Sequence, residues 1–226
     1  MVRRNDRAIL FDLYETLVTE RDSSPARASS LGSRLGIDAK AFRAAWKPQR
    51  RRIIRGEISF AGALLEIGTA LGRTVEPGLA RALSNERQLE KSALFGRLAA
   101  DALATLRELR HCGYKLAVVS NCFAEDVEAW PACPAAGCFD ATVFSCAVGS
   151  AKPEPRIYLV ATRLLGVEPI NAAFIGDGGD DELVGAERAG LRAAQAAWFR
   201  GELADLPSHI PRLSSWPAVL AFAKTG

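Results

Sequence analysis

An apolar segment that ends on a carboxylate is the feature that most constrains the fold of this chain. Residues Ala8 to Phe11 are all apolar, and Asp12 follows them directly. Such a run predicts a strand that is covered on both faces, as in a parallel α/β sheet. Open α/β folds bind their ligands at the carboxyl ends of these strands. Asp12 is therefore a candidate nucleophile or metal ligand, or in a purely structural role the cap of a turn or helix.

Strands and helices alternate regularly in the second half of the chain. Helical segments of ten to fifteen residues separate short apolar runs there. This alternation predicts a Rossmann-like parallel sheet with right-handed crossovers, so the fold class is α/β. The predicted strands cover residues Lys115 to Ser120, Ala141 to Ser145, Ala172 to Asp177 and Arg192 to Trp198.

The segment between the first strand and this alternating part shows helical periodicity only. Asp38 and Ser59 are placed as helix N-caps, Pro77 is placed to open a helix, and a first helix is predicted from Arg27. An all-helical insertion of roughly 70 residues is a subdomain rather than a loop. We predict a core over residues 1–18 and 94–226, an inserted all-helical cap subdomain over residues 19–93, and hinges at residues 18–24 and 91–96.

Composition excludes several classes of function. The net charge of +3 is too small and too scattered to predict nucleic-acid binding. No segment approaches the roughly 18 uncharged apolar residues of a membrane-spanning helix. The five cysteines lack paired spacing, which argues against structural zinc and favours a reducing, cytoplasmic setting. The one local charge run, Lys47 to Arg52, is either the solvated face of a helix or a site that captures an anionic group of the substrate.

Polar groups follow the predicted strands where each one ends. Asp12 follows the first strand, Ser120 and Asn121 end the second, and Lys152 follows the third. The acidic, glycine-containing loop of residues 176–182 follows the fourth. Each group alone fits a cap, a turn or a solvated lysine. Because parallel strand ends meet at one edge, they can share a crevice, and together they supply what phosphoryl transfer through an aspartyl intermediate requires.

These motifs resemble those of haloacid dehalogenase (HAD) superfamily hydrolases that carry a helical cap after the first strand. The resemblance rests on Asp12 to Thr16, on Ser120, on Lys152 and on Gly176 to Asp181, in that order, and it spans nearly the whole chain. It implies an Asp12 nucleophile steadied by Lys152, and it implies that Thr16 and Ser120 bind the oxyanion or phosphate.

The resemblance also implies a magnesium site. Its ligands would be Asp12, the backbone carbonyl of Tyr14, Asp177 and Asp181, with Glu182 as a competing ligand because the spacing in this loop varies by a residue. Magnesium prefers such hard oxygen ligands. The many carboxylates of this loop, with only Lys152 as a counter-charge, would repel one another unless a cation is bound.

Tyr14 leaves the reaction open. Phosphatases of the superfamily usually carry a second aspartate at this position as general acid and base, and tyrosine, with a reference pKa near 10, is a poor base at neutral pH. The dehalogenase branch carries tyrosine there, and Asn121 and Tyr158 also resemble that branch. Asn121 and Tyr14 are accordingly expected to contact substrate. Glu15 occupies the place that usually holds glycine.

The acidic loop argues for magnesium and therefore for phosphate. We predict a magnesium-dependent phosphatase that acts on a small phosphorylated metabolite, with a phosphate monoester as partner and neither nucleic acid nor membrane. The alternatives are a metal-independent 2-haloacid dehalogenase and a catalytically weak protein that binds phosphometabolites.

Overall fold

The computed structural model describes residues 7–20 and 28–225. Its strands are β1 (Ala8–Phe11), β2 (Lys115–Ser120), β3 (Ala141–Phe144), β4 (Ala172–Gly176), β5 (Arg192–Ala196) and β6 (Arg212–Leu213). They form a parallel sheet in the order β3-β2-β1-β4-β5-β6. The predicted α/β fold class and its parallel sheet are confirmed.

The centre of the sheet explains the apolar runs of the sequence. All residues of β1 and β4 are buried, because helices cover both faces. The two strands are neighbours, with Phe11 opposite Ile175. Asp12 and Asp177, one residue beyond β1 and β4, therefore leave the sheet side by side. In an open α/β sheet, the reversal of strand order beside β1 is where a ligand crevice forms.

Helices flank the sheet and continue above it. The described helices are α1 (Ala28–Arg34), α2 (Ala39–Ile54), α3 (Phe60–Ala70), α4 (Pro77–Phe95), α5 (Ala100–His111), α6 (Ala124–Val127), α7 (Ser145–Val148), α8 (Pro155–Leu165), α9 (Glu182–Arg188) and α10 (Trp216–Lys224). One face of the sheet packs against α5 and α10, and the other packs against α8 and α9. None of the described helices combines the length and apolar character needed to cross a membrane.

Helices α1 to α4 build a separate apolar core, and the predicted start signals of α2, α3 and α4 are confirmed. The Asp38 carboxylate accepts the N–H groups of Lys40 and Ala41, each at 3.0 Å. Ser59 caps α3, and Pro77 opens α4. The apolar core of these helices includes Phe123 and Ala151 from the sheet domain, so the helices pack on the carboxyl edge of the sheet.

The predicted boundaries of domains, helices and strands compare with the structure as follows. The predicted start at Arg27 and the part of the first hinge beyond residue 20 lie outside the described residues. The division into residues 1–18, 19–93 and 94–226 stays a prediction. The predicted last strand was too long, since β5 ends at Ala196, and the short elements α6, α7 and β6 and the terminal helix α10 were missed.

Candidate active site

Asp12 and Lys152 form the centre of the site. The Asp12 backbone N–H donates to the Ile175 carbonyl of β4 at 2.9 Å, which holds the residue at the sheet edge. Its carboxylate is buried, with 5% of the residue exposed, and accepts a hydrogen bond from Lys152 Nζ at 2.5 Å. Lys152 Nζ also donates to Glu182 Oε2 at 2.5 Å. One ammonium group therefore lies between two carboxylates.

Burial and charge act in opposite directions on these groups. Burial raises the pKa of Asp12, and the Lys152 ammonium opposes that rise. Burial alone would lower the pKa of Lys152, but the Asp12 and Glu182 carboxylates outweigh it and raise this pKa above its usual value. Burial also raises the pKa of Glu182, and the nearby Asp12 carboxylate adds to the rise. Lys152 consequently stays charged at neutral pH.

Three buried carboxylates converge at this point. One oxygen each from Asp12, Asp177 and Glu182 lies within 4.8 Å of the other two. The Gly178 N–H donates to Glu182 Oε1 at 2.9 Å, and a Cβ on Gly176 would lie only 2.2 Å from that same oxygen. The missing side chain at Gly176 therefore lets Glu182 approach Asp12. Clustered carboxylate oxygens are the donors that Mg²⁺ prefers, so these residues fit a magnesium ion.

The structure differs from the prediction at Asp181. This residue lies outside the carboxylate group and lines a neighbouring cavity with Asp180. Gly178, Asp180 and Asp181 all have left-handed backbone angles, with φ of 94°, 52° and 56°. This turn brings Glu182, the first residue of α9, to the position expected of Asp181. The competing ligand named from the sequence is thus the one that the structure groups with Asp12.

Arg200 is a second cation that the sequence analysis missed. Its Nη1 donates to Asp177 Oδ2 at 2.5 Å, so Lys152 is not the only counter-charge of the cluster. The buried Gln195 amide donates to the carbonyls of Asp177 (3.2 Å) and Gly201 (3.0 Å), which ties the Arg200 segment to the site. A glutamine in the otherwise apolar centre of β5 was the available signal.

Two buried hydroxyl groups near Asp12 have no partner among the described residues. They are Ser120 Oγ and Thr16 Oγ1. A buried polar group without a hydrogen bond costs free energy, so each is suited to bind an oxygen of a ligand. Ser120 lines a cavity of about 230 Å³ together with Asp12 and Lys152, whereas Thr16 is fully buried and does not line this cavity.

Asn121 holds the loop that carries Lys152. Its Nδ2 donates to the Lys152 carbonyl at 2.9 Å, and its Oδ1 accepts the Lys152 N–H at 2.8 Å. Both polar atoms of the Asn121 amide therefore bond to the backbone of one residue, Lys152. Asn121 also lines the cavity, and its predicted contact with substrate stays a prediction.

The Tyr14 hydroxyl points away from the reacting groups. It donates to the Asp126 carbonyl at 2.7 Å, and Lys91 Nζ lies 4.3 Å from the ring centroid. Burial raises the pKa of Tyr14, and the nearby Asp126 carboxylate adds to that rise. The residue borders the cavity but, in this arrangement, does not offer a proton to Asp12 or to a leaving group.

Glu15 has the backbone conformation that explains why glycine is usual at this position. Its φ is 59°, in the left-handed region that is strained for most residues. The carboxylate accepts hydrogen bonds from Thr19 Oγ1 (2.9 Å) and from the Glu20 N–H (2.8 Å). These bonds stabilise the turn after β1, which positions Thr16.

A family model for haloacid dehalogenase-like hydrolases matches residues 7–190. The chain belongs to this family. It is therefore a hydrolase, and the resemblance seen in the motifs is confirmed.

Relatives of both branches are found. A phosphoserine phosphatase of Thermus thermophilus is 35% identical over 160 residues, which cover 70% of this chain and 57% of the relative. The (S)-2-haloacid dehalogenase 4A of Burkholderia cepacia is 27% identical over 229 residues, covering 93% and 94%. The crystal structure of a HAD phosphatase from Thermococcus onnurineus has a TM-score of 0.65 at 21% identity, covering 96% and 97%. The chain spans about half the length of the first curated relatives that it matches.

Proposed function

We propose that this hydrolase is a magnesium-dependent phosphatase that acts on a small phosphate monoester through an aspartyl-phosphate intermediate. The carboxylate group of Asp12, Asp177 and Glu182 carries the proposal. Three buried carboxylates face the cations of Lys152 and Arg200, which leaves negative charge for a divalent cation to neutralise. When bound, Mg²⁺ would supply positive charge to the phosphoryl oxygens. The cytoplasmic location predicted from the cysteine pattern is part of the same proposal.

In the proposed reaction, the residues of the site have different roles. An Asp12 carboxylate oxygen attacks phosphorus, the Asp12–phosphorus bond forms, and the bond from phosphorus to the leaving oxygen breaks. Lys152 holds the attacking carboxylate through its 2.5 Å hydrogen bond. The Ser120 hydroxyl, which lines the cavity, is a donor for the phosphoryl oxygens, and we assign the same role to the Thr16 hydroxyl, which is buried without a partner among the described residues. Water then attacks phosphorus, the Asp12–phosphorus bond breaks, and dihydrogen phosphate leaves with both protons of the water while the Asp12 carboxylate is restored.

Protonation of the leaving group sets the preferred substrates. Since the Tyr14 hydroxyl is bound to the Asp126 carbonyl, no proton comes from that position. The proposal therefore includes substrates with good leaving groups, or with a proton of their own near the scissile oxygen.

Tyr14 also supports a second candidate function, the metal-independent 2-haloacid dehalogenase. A halide leaves without a proton, so the orientation of Tyr14 would cost that reaction nothing. The acidic cluster argues against it, because halide displacement gives Asp177 and Glu182 no charge to bind. A catalytically weak protein that binds phosphometabolites is the third candidate.

Paired assays with p-nitrophenyl phosphate and 2-chloropropionate test these alternatives. We expect phosphate release that needs Mg²⁺, stops with EDTA and is lost in Asp12→Asn. Asp101→Asn, at an exposed position in the first turn of α5, is the matched control and should retain activity. Chloride release that persists in EDTA would instead establish the dehalogenase. Inactivity in both assays would favour the binding protein.

A further inference from the structure

A second cavity adjoins the one at Asp12. Its volume is about 320 Å³, and it shares Arg50, Asn121, Lys152 and Asp180 with the first cavity. The first cavity ends on the groups that would hold the phosphoryl oxygens. A substrate bound there has its leaving group on the far side of phosphorus from Asp12, and the second cavity offers that group a place.

Arginines from α2 form the cap side of this second cavity. Arg50, Arg51 and Arg55 all line it, from the last two turns of the helix and its C-cap. Helix α2 is capped by Asp38 and buries Phe42, Ile53 and Ile54 in the apolar core of helices α1 to α4, so the segment that carries these cations is anchored to that core.

The three arginines differ in how fully they are neutralised. Arg55 is paired with Glu154, which also accepts a hydrogen bond from Ser150 Oγ. The Arg50 guanidinium is 4.0 Å from Asp180 Oδ2, and its side chain is 48% exposed. That distance is beyond hydrogen-bond range, so Arg50 keeps donors to offer.

Arg51 is exposed and has no ion pair within 4.0 Å among the described residues. The acidic groups on the facing wall are Asp180 and Asp181, both in the turn before α9. Asp180 is the acid that faces Arg50. No acid, Asp181 included, lies within 4.0 Å of the Arg51 guanidinium among the described residues, and Asp180 reaches Arg50 only at 4.0 Å, so both guanidinium groups keep donors for an anion.

We propose that the second cavity binds the leaving group of the substrate, and that this group carries a second anion, a carboxylate or a phosphate, held by Arg50 and Arg51. The inference rests on the proposed phosphatase function and adds a substrate class to it. A guanidinium group presents parallel N–H donors that match the oxygens of either anion. A cavity of about 320 Å³ suits a small leaving group, up to a single substituted ring.

Matched pairs of substrates test the inference in the Mg²⁺-loaded enzyme. The anionic members are 3- and 4-carboxyphenyl phosphate, with the 1,3- and 1,4-phenylene bisphosphates as the phosphate arm, because phenolate groups leave without a proton donor. The 3- and 4-carbamoylphenyl phosphates, of equal shape, are the neutral members. Hydrogen bonds to charged groups make us expect kcat/KM about tenfold higher for the better anionic member. A preference for the carboxylate or the bisphosphate series identifies the second anion.

Substitutions on α2 locate the effect. Arg50→Gln and Arg51→Gln should reduce the anionic-to-neutral ratio of kcat/KM severalfold each, and the double variant should bring it close to one. Arg43→Gln is the matched control, because Arg43 lies exposed on the same helix and lines neither cavity. An equal ratio in the wild-type protein, or the same loss in Arg43→Gln, would overturn the inference.

A binding measurement separates this inference from the function on which it rests. Calorimetry with the Asp12→Asn protein and Mg²⁺ compares 3-phosphonopropionate with propylphosphonate, neither of which can be hydrolysed. Tighter binding of the carboxylated phosphonate, lost in the Arg50→Gln background, supports the anionic subsite even if p-nitrophenyl phosphate is not turned over. Equal affinities, or no binding of either compound, contradict it.

Discussion

At the scale of single residues, Tyr14 shows how a side chain beside the nucleophile can be kept out of the chemistry. Its hydroxyl donates a hydrogen bond to the Asp126 carbonyl at 2.7 Å. Tyr114, far from the site, makes a comparable bond, in which its hydroxyl donates to the Ala223 carbonyl. A general acid typically contributes about 10²–10⁴-fold. The hydroxyl of a tyrosine without that role contributes to stability only.

We therefore expect Tyr14→Phe to change kcat by less than about threefold, since no general acid is lost, and to cost about 1 kcal/mol of unfolding free energy for the hydrogen bond. Burial raises the pKa of Tyr14, so its hydroxyl stays protonated and adds no basic limb to the pH–rate profile. Rates with p-nitrophenyl phosphate and urea denaturation measure both effects. Tyr114→Phe is the control, and a hundredfold fall confined to Tyr14→Phe would show that Tyr14 transfers protons.

The choice between Glu182 and Asp181 is a second residue-scale question. Glu182 is buried against Asp12 and Asp177, whereas Asp181 is exposed beside the second cavity. We expect Glu182→Gln to weaken Mg²⁺ binding at least roughly tenfold, as the loss of groups around a metal commonly does, and Asp181→Asn to change it less than about twofold. Isothermal titration calorimetry measures both. The reverse order would restore Asp181 as the ligand.

The sequence predicted some of these residues and could not predict others. Asp12, Ser120 and Lys152 were found because strand ends in a parallel sheet meet at one edge. Glu182 could not be preferred to Asp181, since the choice depends on left-handed backbone angles in the preceding turn. Arg200 comes from a segment without a motif, and its place in the site depends on its hydrogen bond to Asp177 and on the contacts of the Gln195 amide between distant segments.

At the scale of elements, α4 connects the helical insertion to the sheet domain. Arg87 Nη2 donates to Asp126 Oδ2 at 2.9 Å, and Asp126 is 4% exposed. The same carboxylate oxygen accepts the Phe123 N–H at the start of α6, and the Arg87 guanidinium lies 4.3 Å from the Phe123 ring centroid. Glu86 of α4 also forms an exposed ion pair, with Arg34 of α1.

These two ion pairs on α4 should differ in their effect on stability. Arg87→Leu leaves a buried carboxylate without its cation, and we expect a loss of about 2–4 kcal/mol, somewhat reduced because Arg87 itself is partly exposed. Arg34→Leu removes a partner from the exposed pair and should cost at most about 1 kcal/mol. Urea denaturation followed by circular dichroism compares the variants, and equal losses would refute the special role of the Asp126 contact.

Helix signals in the sequence were reliable where local chemistry sets them. Asp38 and Ser59 cap α2 and α3 through their own side chains, so their positions could be predicted. The two-residue strand β6 forms through backbone bonds to its neighbour, such as Gln195 N–H to the Pro211 carbonyl at 2.9 Å. Such a contact between distant segments leaves no local pattern. Helix α10 did leave one, because its buried residues follow helical spacing, and that pattern was overlooked.

At the scale of the whole molecule, the sheet order brings together groups that are far apart in the chain. Neighbouring strands β1 and β4 deliver Asp12 and Asp177, and α2 places Arg50 above them. The sequence predicted the convergence but not which arginine would face it. That depends on how the helices sit on the sheet domain, where a Cβ at Gly56 would come within 2.0 Å of the Cys146 carbonyl oxygen.

Binding of magnesium to the carboxylate cluster should stabilise the entire fold. A ligand at about 100 times its Kd adds about 2.7 kcal/mol to the unfolding free energy. For a chain of this size that corresponds to a rise in Tm of about 5–10 °C, reversed by EDTA.

Gly176→Ala should abolish most of this rise, because its Cβ would lie 2.2 Å from Glu182 Oε1 and displace the carboxylate. Gly78→Ala, with no atom within 4 Å of its Cβ, is the matched control and should keep the full rise. Differential scanning fluorimetry with and without Mg²⁺ gives the difference within each variant, so a lower starting Tm does not affect the comparison. An undiminished rise in Gly176→Ala would place the cation away from Glu182.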